Sequence, residues 1–287
     1  MFAVNRTLTM NLDEFIDAAI SEDVGPGDYS SLSCIKESTR SKARLLAKEQ
    51  GLIAGVELAL LIFKKVDPEL HISVLINDGQ KIAPGDIVMT AEGKALSILK
   101  AERLVLNCMQ RMSGIASVTG NYVNLIKHTR AKILDTRKTT PLNRYIEKWA
   151  VRIGGGYNHR FGLYDMIMIK DNHVDYAGGI AQAIEAANNF RKKQNLNIPI
   201  EIETRNLNEV EQVMQTGGVD RIMLDNFSPD LLNKAVARIA GTIETEASGG
   251  IQLNNVVAYA ETGVDFISVG ALTHSVKSID LSLKAFQ

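Results

Sequence analysis

From Ala131 onward the chain repeats one pattern: a short apolar run, a few polar residues, an amphipathic stretch of helical period, then another apolar run. The runs are Lys132–Asp135, Met166–Ile169, Ile198–Glu203, Asp220–Leu224, Ile243–Ala247 and Asp265–Val269. Between the later ones lie the helical stretches Ile180–Gln194, Leu207–Thr216, Pro229–Ile239 and Leu253–Thr262. Runs that stay apolar on both faces and are spaced by helices fit a parallel sheet with right-handed crossovers. An α/β barrel and a doubly wound open sheet both satisfy that pattern.

The strand ends separate the two. Asp135-Thr136-Arg137-Lys138, Lys170-Asp171-Asn172-His173, Glu203, Asp225-Asn226, Ser248-Gly249-Gly250 and Gly270-Ala271 each follow a run with residues that a plain loop does not require. In a barrel the C-terminal strand ends converge on one mouth, whereas an open sheet scatters them along an edge. With Ala150–Ile153 as a candidate seventh strand, the expected class is α/β, an incomplete α/β barrel of about six to seven parallel strands.

The first half reads differently. Leu12–Ser21 has the apolar spacing of an amphipathic helix with Asn11 as its N-cap, Gly55–Lys65 reads as a second helix, and Ala95–Met112 as a long buried one. Lys42–Lys48, Leu70–Ile76 and Ile87–Thr90 are β-like, broken by Asn77-Asp78-Gly79 and Ala83-Pro84-Gly85-Asp86. The change of pattern falls near Ser113–Gly120, so the expected division is an N-terminal α+β sandwich domain over 1–113 and a barrel domain over 114–287, with the C-terminal tail packing back on the first domain.

Lys and Arg total 32 against 33 Asp and Glu, so no global charge drives the chain toward nucleic acid or acidic membrane. Cys34 and Cys108 lack any metal-ligand spacing, and Met1–Met10 lacks the order of a secretory signal. A reducing cytoplasm is the expected compartment. Against that neutral background Arg137, Lys138, Arg144, Lys148, Arg152, His159, Arg160, Lys170 and His173 crowd into one segment. Arg144, Lys148 and Arg152 recur at helical spacing and are compatible with a solvated face. Arg137, Lys138 and Lys170 sit at strand ends, where Arg forks bind carboxylates and phosphates, so a multiply anionic small molecule is the expected ligand.

Ser248-Gly249-Gly250 and Val269-Gly270-Ala271 resemble the late-strand phosphate sites of barrels. Gly154-Gly155-Gly156 reads equally as an anion loop or a turn. Glu203 and Asp225 end neighbouring strands and can hold Mg²⁺, bond sugar hydroxyls, stabilise a ribosyl cation, or serve as counter-ions. No histidine pair has zinc-helix spacing. A non-catalytic metabolite-binding barrel and an aldolase using Lys170 as a Schiff base also fit these residues alone.

Asp135-Thr136-Arg137-Lys138-Thr139-Thr140-Pro141, Glu147-Lys148, Gly154-Gly155-Gly156, Asn158-His159-Arg160 and Ile169-Lys170-Asp171-Asn172-His173 resemble the signature of the quinolinate phosphoribosyltransferases, also called nicotinate-nucleotide pyrophosphorylases (carboxylating). The resemblance continues through Glu22–Asp28, Glu102-Arg103, Ser113–Ala116, Glu201-Ile202-Glu203, Leu224–Phe227, Ser248–Ile251 and Gly270–Ser275, so it covers nearly the whole chain. One departure is Leu142-Asn143-Arg144, where the family has Gly-Leu-Arg. This keeps the arginine in register and removes a glycine.

The resemblance implies transfer of phosphoribosyl from phosphoribosyl pyrophosphate to quinolinate with decarboxylation, giving nicotinate mononucleotide, pyrophosphate and CO₂ for de novo NAD synthesis. By the family pattern Arg103, Arg137, His159, Arg160 and Lys170 surround the quinolinate carboxylates, beside Thr136, and Lys138 lies between substrate and diphosphate. Lys138, Lys170, Glu203 and Asp225 are the implied catalytic residues, with Glu203 and Asp225 on ribose and Mg²⁺. Ser248, Gly249, Gly250, Val269, Gly270 and Ala271 cradle a phosphate. A homodimer is implied, with Arg103 contributed across the interface.

Overall fold

The computed structural model describes residues 11–286, and it divides into two compact units. The Met1–Met10 stretch read above for a secretion signal lies outside the described residues.

One unit is the parallel α/β layer. Strands Lys132–Leu134, Ile167–Ile169, Ile200–Thr204, Arg221–Asp225, Glu244–Ser248 and Phe266–Ser268 form a single six-stranded sheet. Its order runs from Lys132–Leu134 through the strands at 266, 244, 221 and 200 to Ile167–Ile169. Every pairing between them is parallel. The strands at 132 and 167 are its two edges, so the ring of hydrogen bonds does not close. A lone parallel bridge between Leu134 and Tyr157 adds to the first edge. Helices Ile180–Lys193, Leu207–Thr216 and Pro229–Ile239 form the crossovers, and the last two carry side-chain N-caps, Asn206 and Ser228.

Because strand side chains alternate, Ile200, Ile202 and Thr204 share one face and Glu201 and Glu203 the other. The same rule groups Arg221, Met223 and Asp225, and also Glu244, Glu246 and Ser248. Ile200, Ile202, Ile222, Leu224 and Ala247 are fully buried. The opposite face of the sheet carries polar rows along its length.

The other unit holds an antiparallel sheet in the order Leu281–Phe286, Arg40–Ala47, Ile87–Lys94, His71–Val74. Its helices include Leu12–Val24, where Asn11 and Glu14 form a capping box, and Val56–Val66. The long helix runs Ala95–Ile126.

Two expectations need correction. Ala150–Ile153 is not a strand but the end of helix Arg144–Ile153, whose apolar residues Ile146, Ala150 and Val151 follow helical rather than alternating spacing. The helix expected over Leu253–Thr262 is confined to Val256–Ala260. Helix Ala95–Ile126 runs on past Met112, and its small residues serve packing: a Cβ on Gly114 would overlap the Lys277 carbonyl, and one on Gly120 would lie 2.8 Å from the Leu52 side chain. Residues 139–155 group with the antiparallel-sheet unit, as do 275–286, which carry the tail strand paired with Arg40–Ala47. No helix among the described residues is long and apolar enough to cross a membrane.

Candidate active site

The strand ends of the parallel sheet bring most of the expected residues together. After Leu134 the chain turns through Thr136, whose Oγ1 accepts the Lys138 amide at 3.0 Å. The Lys138 carbonyl in turn accepts the Thr273 hydroxyl at 2.8 Å. Gly270 packs so closely on Lys138 that a Cβ there would lie 3.0 Å from its Cδ. Lys138 is thus fixed by its backbone to the 270–274 segment while its side chain stays exposed.

Asp135 is fully buried. It accepts the Asn158 amide at 2.5 Å and the His159 backbone N–H at 2.9 Å, which fixes the Asn158-His159-Arg160 segment. Arg160 is buried and donates to the Met166 carbonyl at 3.3 Å. Burial, and then the neighbouring Arg137 charge, push its pKa down, while Glu201, Asp165 and Glu203 push it up. Arg137 Nε is buried without a hydrogen-bond partner. Two guanidiniums held near each other in a desolvated place repel one another, and an anion between them removes that penalty.

Lys170 caps helix Asp171–Ala177, with its amide donating to His173 Nδ1 at 2.9 Å. Its Nζ lies 2.7 Å from Glu203 Oε1. Half-exposed Lys170 gains at most about 1 kcal/mol from such a pair, so the pair sets orientation more than stability. Asp225 Oδ2 accepts the Asn226 side-chain amide at 2.7 Å. Asn226 adopts φ 57 and donates its backbone N–H to the Ser248 carbonyl at 2.8 Å. Gly249, at φ 96, lies against Asn226 where a Cβ would overlap Oδ1. The glycine there is required by both backbone and space.

Among the described residues the amides of Gly249, Gly250, Gly270 and Ala271 donate to no protein acceptor. The Val269 amide differs: it is spent on the Leu134 carbonyl at 2.9 Å, and Val269 is buried. Val269 therefore offers packing, not a donor.

His159 was expected among the cations facing a ligand. Its ring is buried, with Nδ1 accepting the Arg160 N–H at 2.7 Å and Nε2 3.0 Å from Glu201 Oε2 and 3.5 Å from Glu246 Oε2. One ligand atom from each of the three residues lies within 4.8 Å of the others. Glu201 and Glu246 are fully buried. Burial raises both carboxyl pKa values, and their mutual repulsion raises that of Glu246 further. Sequence reasoning singled out Glu201 only as part of a motif and missed Glu246, although Glu-x-Glu and Glu-x-Ser spacings put both one row beneath Glu203 and Ser248.

Some basic residues lie elsewhere. Helix Arg144–Ile153 is in the other unit, and it is not a plain solvated face: Lys148 and Glu147 are buried. Glu147 Oε1 pairs with Arg111, whose terminal nitrogen is 2.9 Å away. The glycine run after that helix is no anion loop, because the Gly154 and Gly155 amides bond back to Ala150 and Arg152. A Cβ on Gly154 would also lie 2.5 Å from the Ala116 carbonyl. Arg103 is exposed on the long helix of its own unit and makes no ion pair among the described residues.

Comparison with known proteins gives a consistent picture. The family profile described as quinolinate phosphoribosyl transferase, N-terminal domain, matches residues 28–113, and that for the C-terminal domain matches residues 115–284. A protein of Oryza sativa subsp. japonica named nicotinate-nucleotide pyrophosphorylase [carboxylating], chloroplastic, is 45% identical over 96% of this chain and 78% of its own. A probable nicotinate-nucleotide pyrophosphorylase [carboxylating] of Bacillus subtilis (strain 168) is 42% identical over 96% of this chain and 93% of its own. The solved structure of the nicotinate-nucleotide pyrophosphorylase from Francisella tularensis superposes with a TM-score of 0.89 at 39% identity, covering 96% of each chain.

Proposed function

Since the chain belongs to the quinolinate phosphoribosyltransferase family, we propose that the mouth of the parallel sheet is where it carries out that family's reaction. The chain transfers the phosphoribosyl group of phosphoribosyl pyrophosphate to quinolinate in de novo NAD synthesis. The observation that supports the site is the Arg137–Arg160 pair: Arg160 is buried and feels the Arg137 charge, while half-buried Arg137 keeps its Nε out of water without a hydrogen-bond partner.

In this reading Arg137, Arg160 and Lys170 receive the two quinolinate carboxylates and orient the ring nitrogen toward the ribose. His159 supports Arg160 from beneath, and Arg103 of a second copy of the chain completes the cation set, which makes the active species a homodimer. Thr136 holds the turn that presents Lys138 to the leaving diphosphate. The free amides of Gly249, Gly250, Gly270 and Ala271, with Ser248 beside them and Val269 packed below, cradle a phosphate. Breaking the C1′–O bond to pyrophosphate leaves positive charge on the ribose, which Glu203 and Asp225 stabilise. The nitrogen lone pair of quinolinate forms the new C1′–N bond. The ring is then a pyridinium, so the electron pair left on C2 as CO₂ departs is stabilised before a proton replaces it.

Glu203 and Asp225 offer a carboxylate set suited to Mg²⁺, a hard cation that keeps several waters and bridges substrate phosphates. Such an ion would offset charge on the departing pyrophosphate. We propose the cytoplasm as the compartment, supported by two cysteines that are both free thiols.

The test mixes purified protein with quinolinate, phosphoribosyl pyrophosphate and Mg²⁺ and follows nicotinate mononucleotide and CO₂ together. Equal appearance of both is expected, and strong loss of both in Arg137→Ala. Quinolinate binding without either product would make the chain a binding module instead.

A further inference from the structure

The buried His159–Glu201–Glu246 cluster is not consumed by the reaction described above. Glu201 and Glu246 lie one strand repeat, about 6.8 Å, beneath Glu203 and Ser248 on the same face of the sheet. Both Glu201 oxygens and Glu246 Oε1 are buried without a well-formed hydrogen bond. Burying a carboxylate costs several kcal/mol unless it is compensated, and on the strand between them the register partner of Glu246 is the apolar Met223, while that of Glu201 is Arg221. Packing alone does not call for two glutamates at this level.

What the two carboxylates touch explains them. Glu246 Oε2 is anchored by Arg221 at 3.0 Å. Both face His159 Nε2, at 3.0 Å from Glu201 and 3.5 Å from Glu246. His159 Nδ1 accepts the Arg160 N–H at 2.7 Å, so Nδ1 is the bare nitrogen and Nε2 carries the hydrogen. The contacts at Nε2 are close charge contacts rather than aligned hydrogen bonds, and a carboxylate beside Nε2 favours the tautomer with its hydrogen there and restrains the ring, in the manner of a buried orienting group beside a histidine. Glu201 also acts on the Arg160 guanidinium directly, favouring its charged form.

We propose that Glu201 and Glu246 are positioning residues for quinolinate: they hold the His159 ring so that its Nδ1 receives the Arg160 amide, and so set the Arg160 guanidinium beside Arg137. The groups packed around the pair are consistent with this. Arg221 comes from the adjoining strand, Ser268 from the strand at 266, Glu203 from farther along the strand of Glu201, and Arg160 from the segment that follows His159. Arg221 offsets part of the charge on the pair, and burial still holds both carboxyls toward their protonated forms.

This inference rests on Arg160 facing quinolinate, and the experiment separates the two. Steady-state constants are measured for the wild type, Arg160→Ala, Glu201→Leu, Glu246→Leu and the corresponding Gln variants. The Leu variants keep volume but lose the acceptor, so the quinolinate KM is expected to rise about tenfold or more while the phosphoribosyl pyrophosphate KM and kcat stay within about threefold. The Gln variants, which keep an acceptor oxygen, should recover most of the loss. Should the Leu variants fail to fold, Glu201→Thr and Glu246→Thr read the same link: the shorter side chains withdraw the carboxylates from Nε2, and the quinolinate KM should rise as in the Leu variants.

An unchanged quinolinate KM in Arg160→Ala would sink the placement of Arg160. A raised KM there, with the Leu variants indistinguishable from wild type or depressed in all constants alike, would sink the positioning role. So would a stoichiometric metal ion in the purified protein that is lost in Glu246→Leu.

Discussion

Gly249→Ala tests the coupling between the phosphate cradle and the carboxylate that faces the ribose. Gly249 has φ 96, and a Cβ there would overlap Asn226 Oδ1 and come within 3.0 Å of the Asn226 backbone nitrogen. The alanine variant pays about 1–2 kcal/mol for a left-handed backbone. To make room, the Asn226 side chain must also leave the position from which it donates to Asp225 Oδ2 at 2.7 Å. Loss of a hydrogen bond to a charged group adds about 1.5–3 kcal/mol. If half or more of this total falls on the transition state, kcat/KM for phosphoribosyl pyrophosphate drops by about one to nearly four orders of magnitude. The assay is initial-rate kinetics of Gly249→Ala, Asn226→Ala and the double variant, with circular dichroism as a control for folding. If the effect passes through Asn226, the double variant is no slower than the sum of Asn226→Ala and the backbone strain. Wild-type kinetics in Gly249→Ala, or full additivity of the two substitutions, would refute the coupling.

Leu142 stands where the family has glycine and adopts φ 66 while 73% exposed. Leu142→Gly should therefore raise the urea unfolding free energy by about 1 kcal/mol, relief of left-handed strain outweighing glycine's entropy. Breaking the buried Arg111–Glu147 pair with Glu147→Ala, which also strips the Thr140 amide of its acceptor, should cost about 3–5 kcal/mol in the same assay. Burial holds the Glu246 carboxyl up to about 8 from 4.5. The folded state thus binds that proton more tightly than the unfolded one, and the resulting stability, full at acid pH, is lost as pH rises through about 8. Urea midpoints measured across that range should fall more steeply for the wild type than for Glu246→Gln. Cys108 is buried with its thiol pushed up to about 12, whereas Cys34 is exposed. A thiol reagent should label one cysteine in the native protein and two after denaturation.

The parallel sheet is readable because most strands carry apolar residues on the outer row, such as Ile200 with Ile202 and Ile222 with Leu224, and the mouth because its residues interrupt loops that need no charge. Three things were hidden. The Ala95–Ile126 helix reads as ending at Met112 because Gly114 and Gly120 are small for the sake of close packing, which a local reading takes for a break. Helix Arg144–Ile153 looked solvated because its charged residues are four apart, yet Glu147 and Lys148 are buried, a fact set by partners distant in sequence. Strand Leu281–Phe286 carried a readable signal, Leu281 and Leu283 alternating with polar neighbours, but it pairs with a strand near the other end of the sequence. The site divides the same way. Lys170 and Glu203 announce themselves at strand ends, while Glu246 is masked inside a strand, where polar residues are ordinarily excluded.

The pairing of Leu281–Phe286 with Arg40–Ala47 has a consequence for how the protein is made. Six consecutive pairs, from Lys42 with Phe286 to Ala47 with Leu281, join segments separated by almost the whole sequence. During synthesis Arg40–Ala47 emerges early and finds Ile87–Lys94 soon after, but its other side has no partner until the ribosome has read nearly everything else. For that interval the nascent chain exposes a strand edge able to recruit other chains. Stop codons or pauses shortly before residue 281 are therefore expected to yield insoluble product, although every residue of the reaction centre has by then been translated.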